Sequence, residues 1–183
     1  GTTKNGHQFY NQATGFSAVV GHSRSGNSDK AFFFGGAGDD HFDATPTVAK
    51  LDPLGSPATP YSFRANDFKI VQVWDHVLGA ADNDNDTASF ADSPGTDAFV
   101  GKDAYALMFT PSSYQRANGF ESVVATATTA ATGKVDLARF VGAGGNEQVA
   151  GDPTFMTFGK SGTGGYSYRA NNFPLAIATA GGA

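Results

Sequence analysis

Cysteine is absent from this 183-residue chain, methionine occurs twice, tryptophan once, and charged residues make up only 16%. Without cysteine there are no disulfides, zinc–thiolate sites or thiol nucleophiles. The compartment stays open, because exported proteins also do without cysteine. The charged fraction falls well short of the usual quarter. Twelve Lys and Arg face 17 Asp and Glu, for a net charge of −5, and no basic cluster offsets it. Neither a nucleic-acid backbone nor an anionic membrane surface is an expected partner. No apolar run approaches the roughly 20 residues of a membrane span. No signal peptide is visible, so Gly1 reads as a mature or excised start.

What is present is 24 Gly and 16 Phe, with many Ala, Thr and Ser. A disordered chain would be poor in Phe and rich in charge, so this one folds. Its composition favours strands and tight turns over long helices.

One segment recurs through the chain. It reads Tyr10-Asn-Gln-Ala-Thr-Gly-Phe16, Phe63-Arg-Ala-Asn-Asp-Phe68, Tyr114-Gln-Arg-Ala-Asn-Gly-Phe120 and Tyr168-Arg-Ala-Asn-Asn-Phe173. The final Phe advances by 68−16 = 52, 120−68 = 52 and 173−120 = 53 residues. Each copy runs into an alternating, β-branched stretch, the pattern of a strand with one buried face. A second segment recurs out of phase, headed by Asp29, Asp86 and Asp136. It holds a short strand, a turn glycine (Gly38, Gly95, Gly145), an acid (Asp40, Asp97, Glu147) and an apolar residue (Phe42, Phe99, Val149). Glycine supplies the positive φ such turns need, and the carboxylate accepts backbone N–H groups within the turn.

These periods predict a single repeat domain over residues 1–183, divided into a partial unit 1–28 and units 29–85, 86–135 and 136–183. One unit cannot bury its own apolar face, so stacking must supply the core. The expected fold is an all-β repeat solenoid resembling a parallel β-helix, with two coils of about 25 residues per unit. An antiparallel β-sandwich is the alternative. Stacking predicts an internal ladder of Phe16, Phe68, Phe120 and Phe173. Arg64, Asn66, Arg116, Asn118, Arg169 and Asn171 would hold equivalent corners, where Asn tolerates the left-handed conformation.

The phrases Asn85-Asp-Thr-Ala-Ser-Phe-Ala-Asp-Ser-Pro-Gly-Thr-Asp-Ala-Phe-Val100 and Arg116-Ala-Asn-Gly-Phe-Glu-Ser-Val-Val-Ala-Thr-Ala-Thr128 resemble tandem repeats of about 50 residues in large exported surface proteins of planctomycete-type bacteria. The resemblance covers nearly the whole chain and is closest over residues 85–128. It implies an exported bacterial surface protein and no particular biochemical activity. The first unit departs most, with a Pro-rich insertion, and the first copy, Gln12-Ala-Thr, lacks the Arg.

Two acidic segments could hold calcium. Gly35-Gly-Ala-Gly-Asp-Asp-His-Phe-Asp43, containing Asp39 and Asp40, matches the nonapeptide of calcium β-rolls. It occurs once, and a glycine turn capped by a carboxylate would read the same way. Asp82, Asp84 and Asp86 alternate in a polar loop, and Ca²⁺ takes six to eight oxygen ligands. The competing reading is a solvated acidic loop. His7, His22, His41 and His76 lack metal spacing. There is no Gly-x-Ser-x-Gly elbow, so no catalytic residue is named and an enzyme is not expected. Arg64, Arg116 and Arg169 beside Tyr61, Tyr114 and Tyr168 would make a cationic–aromatic stripe for an acidic polysaccharide, or would bond the neighbouring coil.

These readings point to a secreted or cell-surface structural and adhesive module, part of a surface layer, stalk or filament. Its partners would be further copies, joined head to tail or in a lattice, or neighbouring repeats of a longer chain. A polysaccharide-binding or polysaccharide-cleaving β-helix is the alternative.

Overall fold

The computed structural model describes residues 10–24, 29–55, 60–75, 84–128, 133–162 and 164–181. The protein is all-β; no helix occurs among these residues. The first full unit supplies β2 (Lys30–Phe34), β3 (Asp40–Ala44), β4 (Val48–Pro53), β5 (Ser62–Asn66) and β6 (Ile70–Trp74). The second supplies β7 (Thr87–Ala91), β8 (Ala98–Lys102), β9 (Tyr105–Phe109), β10 (Tyr114–Asn118) and β11 (Ser122–Thr126). The third supplies β12 (Leu137–Val141), β13 (Gln148–Asp152), β14 (Phe155–Lys160), β15 (Tyr166–Asn171) and β16 (Leu175–Thr179). β1 (Ala18–His22) is the fifth strand of the partial unit before them.

These strands form two mixed sheets. One runs β1-β5-β4-β3-β7-β11-β15-β14-β13, the other β16-β12-β8-β9-β10-β6-β2. Within a unit the second, third and fourth strands make an antiparallel meander, as in β3–β4–β5. The first and fifth strands pair in parallel in the opposite sheet, as β2 does with β6. Successive units therefore place their meanders in alternate sheets. Each unit thus holds an antiparallel meander where two parallel coils were expected, and the two facing mixed sheets accord with a sandwich-like arrangement as much as with a solenoid. The turns between β3 and β4 and between β8 and β9 span only a few residues, enough to reverse a strand but too few for a parallel crossover.

Alternation within strands fills the space between the sheets. β6, β7, β8, β10 and β11 bury every second residue or nearly so. Aromatic rings line the core in a continuous chain. Phe42 meets Phe90 edge-on at 6.0 Å, and Phe90 reaches Phe99 of the facing sheet at 6.1 Å. Phe99 then meets Phe140 at 5.9 Å, and Phe140 stacks on Phe158 of the first sheet at 5.5 Å.

The expected ladder is not the one that forms. Phe120 and Phe173 are buried, beside Phe42 and Phe99 respectively, each at 6.3 Å. Phe68 is only partly buried, and Phe16 is 63% exposed. Because meanders alternate, Phe68 and Phe173 follow strands of one sheet and Phe120 follows a strand of the other. They plug the core from opposite sides and do not stack; Phe16 lies at the open edge before β1. The corner residues shift as well. Asn66, Asn118 and Asn171 end their strands, and the left-handed residue is the next one: Asp67 (φ 61°), Gly119 (φ 90°) and Asn172 (φ 61°).

Candidate functional site

The chain leaves one sheet at the ends of β2 and β6 and enters the other at the starts of β3 and β7, and each of these strand pairs lies side by side. β2 and β6 pair so that Phe34 faces Trp74, which brings Gly35 beside Asp75. β3 and β7 pair so that His41 faces Thr87, which brings Asp40 beside Asp86. The next junction repeats the plan. Ala91 faces Thr126 and places Asp92 beside Ala127; Ala98 faces Leu137 and places Asp97 beside Asp136. Each junction thus has four corners, three acidic and one small. The third acid changes strand: Asp75 opposite Gly35 at the first junction, Asp92 opposite Ala127 at the second. At the first, a Cβ on residue 35 would lie 1.8 Å from the Asp75 carbonyl oxygen and 2.5 Å from Asp40 Oδ2, so that corner has room only for glycine.

The same hydrogen bonding locks both junctions. The Asp40 N–H donates to Asp86 Oδ1 at 2.6 Å, and the Asp97 N–H donates to Asp136 Oδ1 at 2.9 Å. Within each turn the acid accepts the N–H four residues earlier: Gly36 to Asp40 Oδ2 at 2.9 Å, Ser93 to Asp97 Oδ2 at 3.0 Å, and Ala143 to Glu147 Oε1 at 3.0 Å. This is the turn-capping role the sequence assigned to those acids.

Carboxylate oxygens of Asp75, Asp84 and Asp86 lie within 4.8 Å of one another, as do those of Asp92, Asp97 and Asp136. Asp86 and Asp136 are fully buried. Burial, first, and then the Asp75 carboxylate push Asp86 well above the ordinary carboxylate range. Asp40 and Asp97 are also raised, chiefly by burial, with neighbouring acids adding to it; hydrogen bonds from the Tyr61 hydroxyl and the Gly36 N–H oppose it at Asp40, and those from Ser93 at Asp97. Among the described residues the ion pairs are His41–Asp43 and Lys50–Asp52, remote in sequence from the second junction.

Of the acids named from sequence, Asp84 and Asp86 fall in the first cluster and Asp40 borders it. Asp39 does not join: it is exposed and its Oδ1 accepts the Asn85 N–H at 2.8 Å, while Asp84 Oδ2 accepts the Gly38 N–H at 3.0 Å. Those two bonds lace the polar loop to the glycine turn. Asp82 lies outside the described residues. The sequence does not single out Asp75, Asp92 or Asp136 as site residues and reads Asp97 only as a turn acid, although Asp86 and Asp136 share the same repeat phase.

The arginines pair with rings other than those expected. Arg116 lies 3.9 Å over Tyr105, and Arg169 lies 4.0 Å over Phe155, each across the meander. Arg64 and Arg169 donate to Asn66 and Asn171 at 2.8 and 2.6 Å. Tyr168 is buried and Tyr61 takes the Gly36 N–H at 2.9 Å, so the Arg–Tyr stripe does not form as drawn. No described helix is long and apolar enough to cross a membrane. No family model, curated protein or solved structure matches this chain.

Proposed function

We propose that the chain is a structural module, a solenoid-like segment of an extracellular layer, stalk or filament whose sheets are extended by further units of the same repeat. The observation that carries this reading is the state of the four bounding strands. In the interior, every first-position strand lies between a second- and a fifth-position strand, as β7 lies between β3 and β11. Among the described residues, β2 has no second-position neighbour at its edge, β13 no first, β16 no fourth, and β1 no first. These strands also expose apolar side chains: Val20 (β1), Phe32 and Phe34 (β2), Val149 (β13), and Leu175 and Ile177 (β16).

Soluble proteins protect such edges with Pro, Lys, bulges or a covering element. Here β1 and β16 carry neither Pro nor Lys. Further copies of the unit, on this chain or another, would pair both sheets and cover the exposed rings. The resemblance to tandem repeats of exported proteins supports the extracellular setting. Electron microscopy with sedimentation velocity tests the assembly: association that grows with concentration, or regular polymers, is expected. A monodisperse monomer at every concentration would count against it.

A further inference from the structure

We propose that Asp92, Asp97 and Asp136 bind a hard divalent cation, Ca²⁺, at the junction between the second and third units. Asp92 follows β7, Asp97 precedes β8, and Asp136 precedes β12; they are 6%, 2% and 0% exposed. Three carboxylates with oxygens inside 4.8 Å repel one another, and burial removes the water that would screen them. Protonation or a cation must relieve that repulsion, and among the described residues no Lys, Arg or His forms an ion pair with any of the three.

The hydrogen bonding leaves oxygens over. Asp92 Oδ1 accepts from the Thr128 N–H at 2.9 Å and its hydroxyl at 2.7 Å, and Asp136 Oδ1 accepts from the Asp97 N–H. Asp92 Oδ2 and Asp136 Oδ2 are buried and accept nothing. A buried acceptor with no donor is costly, and two in one cluster of acids point to a positive ligand. Asp86, at the matching place in the preceding junction, is likewise fully buried beside other acids and accepts the N–H of the turn acid, Asp40, through Oδ1. The recurrence makes this a feature of the repeat and not an accident of one turn.

The donor set selects the ion. All donors are oxygen, without imidazole or thiolate, which suits Mg²⁺ or Ca²⁺ over zinc or copper. Mg²⁺ keeps several waters, whereas Ca²⁺ accepts six to eight oxygens in flexible geometry; carboxylates this deeply buried favour Ca²⁺. Such an ion would clamp the second unit, through Asp92 and Asp97, to the third, through Asp136. The inference is independent of the assembly reading, since it concerns a junction inside the chain.

The test uses the whole chain, stripped with chelator and titrated calorimetrically with CaCl₂ and separately with MgCl₂, with bound ions counted by native mass spectrometry. Asp136→Asn and Asp92→Asn keep an amide oxygen for the existing donors. Each is expected to lose one equivalent of Ca²⁺ and part of the Ca²⁺-induced rise in melting temperature. Asp84→Asn, at the other junction, is expected to retain the equivalent that those two lose. Full stoichiometry in both Asp136→Asn and Asp92→Asn would overturn the site, and Mg²⁺ binding as tight as Ca²⁺ would overturn the choice of ion. If neither variant folds, the wild type alone decides: no Ca²⁺ retained and no melting shift at about 1 mM rejects the proposal.

Discussion

The Tyr168 hydroxyl, on β15, donates across the core to the Lys102 carbonyl at the end of β8, 3.1 Å away, joining the two sheets over 66 residues of sequence. Its ring lies so close to the facing backbone that a Cβ on residue 101 would come within 2.6 Å of Tyr168 Cδ2. Tyr168→Phe removes the bond and keeps the ring, and should cost about 1 kcal/mol. Gly101→Ala keeps the bond and crowds the ring, and should cost about 1–3 kcal/mol. Urea unfolding of both variants checks the pair, and equal losses would show that the hydroxyl and the ring contact cannot be separated.

Phe120 and Phe16 occupy the same repeat phase but opposite environments, 2% and 63% exposed. Phe120→Ala should cost about 3–5 kcal/mol, and Phe16→Ala should stay within about 0.5 kcal/mol. A comparable loss at both positions would restore the single ladder that the sequence period suggests.

Stability should depend on pH through the first junction. Asp86 has an ordinary value of 3.8 raised to about 9 in the folded protein, with Asp75, Asp84, Asp40 and Tyr61 around it. The folded state therefore holds a proton that the unfolded chain releases at lower pH. In chelator the protein should be most stable below about pH 4 as far as this group is concerned, and should lose stability as pH rises toward about 9. Asp86→Asn should flatten that slope. A metal-free protein whose stability rose steadily from pH 5 to 8 would refute the assignment; melting curves across this range give the answer.

Edge pairing predicts that single charges block association without unfolding the chain. Val20→Lys and Ile177→Lys place a cation on exposed strand faces, 57% and 43% accessible in the parent. Each should change stability by less than about 0.5 kcal/mol while abolishing any concentration-dependent growth seen by sedimentation. Unchanged growth in both would mean that other surfaces drive assembly.

Much of the strand pattern was legible because it is written at period two: the stretches after Phe68 and Phe120 became β6 and β11, and Lys30–Phe34 became β2. The hairpin inside each unit was not, because Val48–Pro53 and Phe155–Lys160 carry little sequence likeness and so gave no repeat signal. The change of sheet from unit to unit is a property of pairing, which a linear period cannot express; the mistaken ladder of four Phe follows from that. The acidic junctions were half visible. Asp84 and Asp86 stood out as neighbours in sequence, but Asp92, Asp97 and Asp136 are scattered over 45 residues (136−92 = 44 steps) and meet only through the β7–β11 and β8–β12 registers. The exchange of Asp75 for Asp92 hid the match further, since it moves one charge to the partner strand.

Because successive meanders change sheet, an array of these units has parity. Removing one whole unit would turn everything beyond the cut to the other face of the molecule, and any loop displayed there would point the opposite way. Removing two would restore the original presentation. Tandem expansion or loss in steps of one repeat is therefore not neutral for whatever such an array shows to its surroundings, whereas steps of two change only its length.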